Sequence, residues 1–219
     1  MASKPPIEPA APDLPRELDA APELPDVLAR GELEACLLEQ LDFSERDASL
    51  LTLVESRLLH VDLTGALLQN ATLRDVAIEE GSWANVRAAN VTLRRMQFDG
   101  VRLTGADLSG ASIADATFVD CRIDLASFRA AKLARVRFER CRMEEADFQS
   151  ATLSSCFFED CTLTRAALAE AMFVRSELRG CDLSGAGNPE RLRGVRMPWA
   201  DVVNAAAELA EATGIEIVD

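Results

Sequence analysis

The chain has 219 residues, 48% of them hydrophobic and 27% charged, enough for one sizeable core in a single domain. Its net charge of −14 argues against nucleic acid as a direct ligand, because phosphate contacts need a basic surface. No stretch approaches the ~18 apolar residues of a membrane span and no apolar run follows a basic start, so the expectation is a soluble cytoplasmic protein, off the membrane, with reduced thiols at its six cysteines.

Residues 1–26 hold seven of the nine prolines, interleaved with Ala, Glu and Asp. Such a composition buries little apolar surface, and the segment is expected to be a disordered acidic tail. Residues 1–50 carry 4 basic and 12 acidic side chains, more than half of the excess charge.

From Leu53 to Leu183 a count in fives meets a large apolar residue at every one of 27 positions except Ala88. Two residues before each lies a second restricted position, small except at Leu51 and Met96 and mostly Ala, Val or Cys, and none of these 54 residues is charged. At 27% charged, about 15 would be expected by chance, so packing sets the pattern. A period of five fits neither a helix nor an alternating strand, so the chain must turn once per repeat. Cys121, Cys141, Cys161 and Cys181 recur at 20, as do Phe98, Phe118, Phe138 and Phe158. Like residues stacked one coil apart imply four repeats per coil and a square cross-section.

The stretch CRMEEADFQSATLSSCFFEDC, 141–161, invites a metal or redox reading. The phase opposes it. All six cysteines, Cys36 included, fall on the small inward position, where free thiols act as buried hydrophobes, and no C-x₂-C zinc spacing is present. The carboxylates fall on outward positions, and His60 has no phased nucleophile beside it. No catalytic residue, metal site or cofactor is expected, and the chain is not expected to be an enzyme.

Taking the repeat 51–55 as face one of the coil, 56–60 as face two and so on around, face one sums to +3 and face two to −4. Face two carries Glu79, Glu80, Asp99, Asp120, Glu139, Glu159, Asp160 and Glu177, a ridge of like charge and the candidate partner-binding surface. After Leu183 the phase ends. Pro198 at a first helical position and Gly214 as terminator frame a predicted helix of about 15 residues, with Trp199, Val202, Val203, Ala206 and Leu209 as candidate dimerisation residues.

The repeats ADLSG (106–110), ADFQS (146–150) and CDLSG (181–185) resemble the A-(D/N)-L-X-X consensus of the pentapeptide-repeat family. The resemblance implies an all-β fold, a right-handed quadrilateral parallel β-helix over 27–186, closed by a short C-terminal helical cap in 187–219. In organisation the chain is similar to the family's free-standing members that confer resistance to topoisomerase poisons. That similarity implies a DNA-mimicking partner of a bacterial type II topoisomerase, DNA gyrase or topoisomerase IV, and a homodimer. The alternative is a generic protein-interaction scaffold.

Overall fold

In a computed structural model describing residues 4–20 and 29–216, the chain winds into a four-sided parallel β-solenoid of about eight coils. Strands Thr52–Asp62, Thr72–Ser82 and Thr92–Arg102 each run through two corners, and Ser112–Val119 and Lys132–Glu139 stack on them. From Leu33 against Leu53 to Phe158 against Leu178, partners are offset by 20, the coil length read from the cysteines and phenylalanines. Glu32–Glu34 and Cys36–Glu39 add a coil ahead of residue 51. At ~4.8 Å per coil the rod is about 38 Å long.

The inward columns fill the solenoid. Phe98, Phe118, Phe138 and Phe158 stack face to face at 4.4–4.9 Å between centroids, and Phe128 stacks on Phe148 at 5.0 Å. Trp83 is fully buried with its edge against Phe98, 5.5 Å away.

Every residue whose number is a multiple of five, from Arg30 to Gly185, has a positive φ: twenty-six non-glycine residues and six glycines. This left-handed residue turns the chain at each corner. Two of the four corners are further closed by an N–H···O=C bond three residues back, such as Ala66 to Leu63 at 3.0 Å. Val, Ile and Thr are absent from all of these positions, as expected where a β-branched side chain would be strained.

Both ends differ from expectation. Residues 4–20, expected to be a disordered tail, lie along the rod: Asp19–Ala20 pairs with Cys36–Leu37, and residues 8–13 cross successive coils. The cause is a set of acceptors and cations on the rod that composition alone does not reveal. The remainder of that predicted tail, residues 1–3 and 21–26, lies outside the described residues.

At the other end the single predicted helix is two, Trp199–Asn204 and Ala206–Ala212, after a 3₁₀ turn at Pro189–Leu192. Pro198 is the N-cap and not the first helical residue. The break at Ala205 (φ −94°, ψ 20°) buries that residue in the core. The two segments cap the last coil: Gly180 N–H donates to Asp201 Oδ2 at 2.7 Å and Gly185 N–H to Glu208 Oε1 at 3.4 Å. These carboxylates take the place of the carbonyls that a further coil would supply.

Candidate interaction faces

The thiols belong to the core. Cys121, Cys141, Cys161 and Cys181 stack in one column, and each S–H lies 3.4–3.6 Å from the carbonyl of a phenylalanine on the preceding coil. Hydrogen bonding to the cysteine one coil below pushes Cys141 and Cys161 up to about 12, and burial does the same for Cys156. Such thiols stay protonated and unreactive at neutral pH. Among the described residues no group of three or more His, Cys, Asp or Glu could hold a metal ion. Cys141→Ala and Cys161→Ala are each expected to keep the fold and lower stability by about 1–2 kcal/mol. Urea titration and zinc analysis check this; a loss above about 3 kcal/mol, or stoichiometric zinc, would contradict it.

The ridge residues share a face. Glu79, Asp99, Glu139 and Glu159 stand in one ladder column, interrupted by Val119, and Glu80, Asp120 and Asp160 in the corner column beside it. Most of this charge is compensated locally. Arg57 pairs with Glu79, His60 Nδ1 lies 3.2 Å from Glu80, and Arg140 bridges Asp120 (2.8 Å) and Glu139. Arg137 pairs with Glu159 at 2.8 Å and Arg179 with Glu177 at 2.6 Å. Among the described residues Asp99 and Asp160 of the ridge make no ion pair, and Glu80 meets only the imidazole of His60, which the net charge of −14 counts as neutral. Four of these contacts join residues 20 or 22 apart, where the coil period brings the basic group over the carboxylate, and the other two, Arg140 with Glu139 and Arg179 with Glu177, are local in sequence. Exposed pairs of this kind contribute little to stability, but they mute the field of the face.

The corner between faces one and two was not singled out by the sequence. From Asp75 to Arg135 its left-handed residues alternate in sign and burial. Asp75 and Asp115 are buried at 1% and 8% exposure, and Arg95 and Arg135, one coil on, pair with them. The N-terminal segment covers this corner. Asp13 N–H donates to Asp75 Oδ1 at 3.1 Å, Ala10 N–H to Asp115 Oδ1 at 3.3 Å, and Glu8 accepts from Arg137 at 2.7 Å. Arg137 in turn lies 4.4 Å from the centroid of the Phe157 ring. The available signal was the spacing of Pro6, Pro9, Pro12 and Pro15, a strict period of three inside an apparently unstructured stretch.

The Arg135 hydrogen bonds hold the Asp115 carboxyl below its ordinary value of 3.8, against burial and with help from Ala10 N–H and Arg94. Burial pushes Asp75 up, but Arg95, Asp13 N–H and Arg74 outweigh it and leave the group lowered. A carboxylate lowered in the folded state contributes fully above its ordinary value and loses that contribution as pH falls through the lowered one. Hydrogen exchange at Ala10 and Asp13 is therefore expected to stay protected down to pH 3.8 and to lose protection only below it. Loss near pH 6 would contradict this assignment of the acceptors.

The candidate dimerisation residues divide. Trp199 (79% exposed) and Val203 (54%) face outward, as does Ala206, whereas Val202 and Leu209 are half-buried and Leu209 packs on the core. Met172 and Val174 on the last coil are also exposed. No helix among the described residues is long and apolar enough to cross a membrane.

Residues 91–168 and 131–187 match the family model described as a pentapeptide repeat region. With the five-residue phase and the four-sided parallel solenoid, this makes residues 91–187 a pentapeptide repeat region. No curated protein matches it in sequence. Among solved structures it is similar to HetL, a pentapeptide repeat protein involved in heterocyst differentiation regulation from the cyanobacterium Nostoc sp. strain PCC 7120. The two are 22% identical over 75% of this chain and 86% of that one, with a TM-score of 0.30. It is also similar to full-length QnrB1, a plasmid-mediated fluoroquinolone resistance protein, at 18% identity over 85% of this chain and 91% of that one, TM-score 0.41. A third is Rfr23 from the cyanobacterium Cyanothece 51142, at 16% identity over 77% and 84%, TM-score 0.22.

Proposed function

We propose that this chain is a non-catalytic binding protein that presents the acidic side of its rod to a bacterial type II topoisomerase, DNA gyrase or topoisomerase IV, in the manner of DNA. The reading starts from the sequence resemblance to free-standing resistance members of the family. The observation that carries it is the acidic face: two adjacent columns of carboxylates repeat along face two, one side chain per coil where present. Residues 4–20, with Lys4 and Arg16 against Glu8, Asp13, Glu17 and Asp19, add a net −2 along the neighbouring corner. Part of the N-terminal acidity thus rides on the rod and augments a solenoid that is itself only −3 over 51–186. The rod's ~38 Å is close to one turn of duplex, ~34–36 Å. Co-purification of gyrase and topoisomerase IV subunits with tagged full-length protein tests the reading; retention of neither would contradict it.

The ion pairs over Glu79, Asp120, Glu139, Glu159 and Glu177 favour a second reading, an interaction scaffold for another protein, because the phosphates of DNA carry no such built-in cations.

The proposal includes a homodimer joined end to end through the C-terminal cap, burying Trp199, Val203 and the neighbouring Met172 and Val174. Truncation after Ala186 removes this surface together with the carboxylates that cap the last coil. Light scattering is expected to show a dimer for the full chain and monomer or aggregate for the truncated one. A well-behaved truncated dimer would leave the helices as a cap only.

A further inference from the structure

We propose that the corner between faces one and two is a binding groove for a polyproline-II segment of the form Pro-x-x repeated, and that its resident ligand is this chain's own N-terminal segment. Two unrelated periods coincide here. Along the rod the buried carboxylates Asp75 and Asp115 are two coils apart, ~9.6 Å at the parallel-strand spacing. Along the strap their donors, Asp13 and Ala10, are three residues apart, ~9.3 Å at the rise of polyproline II. One left-handed turn of the strap therefore advances by two coils of the rod.

The proline period fits this role. Pro6, Pro9, Pro12 and Pro15 recur once per turn, and the residue after each proline presents its N–H in the same direction: Asp13 after Pro12, Ala10 after Pro9. Polyproline II has no internal hydrogen bonds, so these N–H groups are free to bond outward, and proline lowers the entropy lost on docking. The intervening coils contribute Arg95 and Arg135, which hold the two carboxylates ionised and in place. Glu8 on Arg137 fixes the far end.

One more step of the same register reaches Ser155 on the rod and Ile7, after Pro6, on the strap. Ser155 is the third buried member of the corner column, and its Oγ has no hydrogen-bond partner. Arg175, one coil beyond it, makes no ion pair among the described residues and occupies the place that Arg95 and Arg135 hold for the two aspartates. The third rung thus has its position and its cation but lacks its carboxylate. This groove is independent of the topoisomerase reading.

The test removes donors without disturbing the conformation of the strap. In the full-length chain, Ala10→Pro and Asp13→Pro each delete one N–H while favouring polyproline II. Ala11→Pro and Asp13→Ala are the controls, the first at a position that bonds nothing on the rod and the second keeping the N–H. Hydrogen exchange of the remaining strap amides is expected to accelerate about tenfold or more in each donor variant, the effect of losing one bond to a charged acceptor, and to change little in the controls. Ser155→Asp should slow exchange at Ile7 by a similar factor. A labelled peptide of residues 4–16 should bind the Ala10→Pro/Asp13→Pro double variant, and the same peptide with proline at 10 and 13 should not. Ala11→Pro as disruptive as Ala10→Pro, unchanged exchange in the donor variants, no effect of Ser155→Asp, or no difference between the peptides would overturn the proposal.

Discussion

Phe138→Ala is expected to lower stability by about 3–5 kcal/mol, the range for deleting a buried aromatic side chain. Phe138 is fully buried and stacked between Phe118 and Phe158, 4.9 Å from each, with its edge also toward Phe128 at 6.2 Å. In a solenoid each coil is held only by its neighbours, so a cavity in a middle coil weakens two interfaces at once. Phe138→Leu should cost much less, because leucine fills the same phase at Leu133, Leu153 and Leu163. Urea unfolding followed by circular dichroism measures both. A cost below about 1 kcal/mol for the alanine variant would show that the phenylalanine column is not what holds the middle of the rod.

Reversing Glu79, Asp99, Asp120, Glu139 and Glu159 to lysine is expected to abolish action on a type II topoisomerase, since it takes the net charge from −14 to −4 and turns the ridge basic. The structure adds a second effect. Four of the five changes set a lysine beside Arg57, Arg137 or Arg140, replacing ion pairs by like-charge contacts. The five-fold variant should therefore also unfold at lower urea, modestly, because these side chains are partly in water. The face-one control needs the same care. Arg135 holds the buried Asp115 and Arg74 lies near Asp75, so Arg94→Glu and Arg175→Glu are the reversals that break no ion pair. They should leave topoisomerase action intact.

The solenoid was legible because its constraint is local and repeated: an inward slot every fifth residue tolerates no charge, and twenty-residue spacing marks stacking. The same arithmetic explains the cysteines, whose clustering in 141–161 is a property of one core column. Three features escaped. The strap was hidden because proline-rich acidic composition gives no apolar signal, while its acceptors lie 62 and 105 residues away. Much of the compensation of the ridge was readable only after the coil length, since Arg137 meets Glu159 and Arg140 meets Asp120 across neighbouring coils. The break at Ala205 follows from burying that residue and capping two corners, tertiary demands that a pattern of helix formers does not carry.

The most direct test of the topoisomerase reading uses the two ridge carboxylates that stand free of ion pairs, Asp99 and Asp160. Gyrase supercoiling is measured with and without a quinolone, titrating full-length wild type and the Asp99→Lys/Asp160→Lys variant at one fixed salt near physiological strength, where screening acts over ~8 Å. The account predicts that wild type changes the response to the drug and that the variant, equally folded by circular dichroism, needs at least about tenfold more protein for the same effect, ~1.4 kcal/mol of lost interaction. Equal potency of the two proteins, or no effect of either, would contradict it.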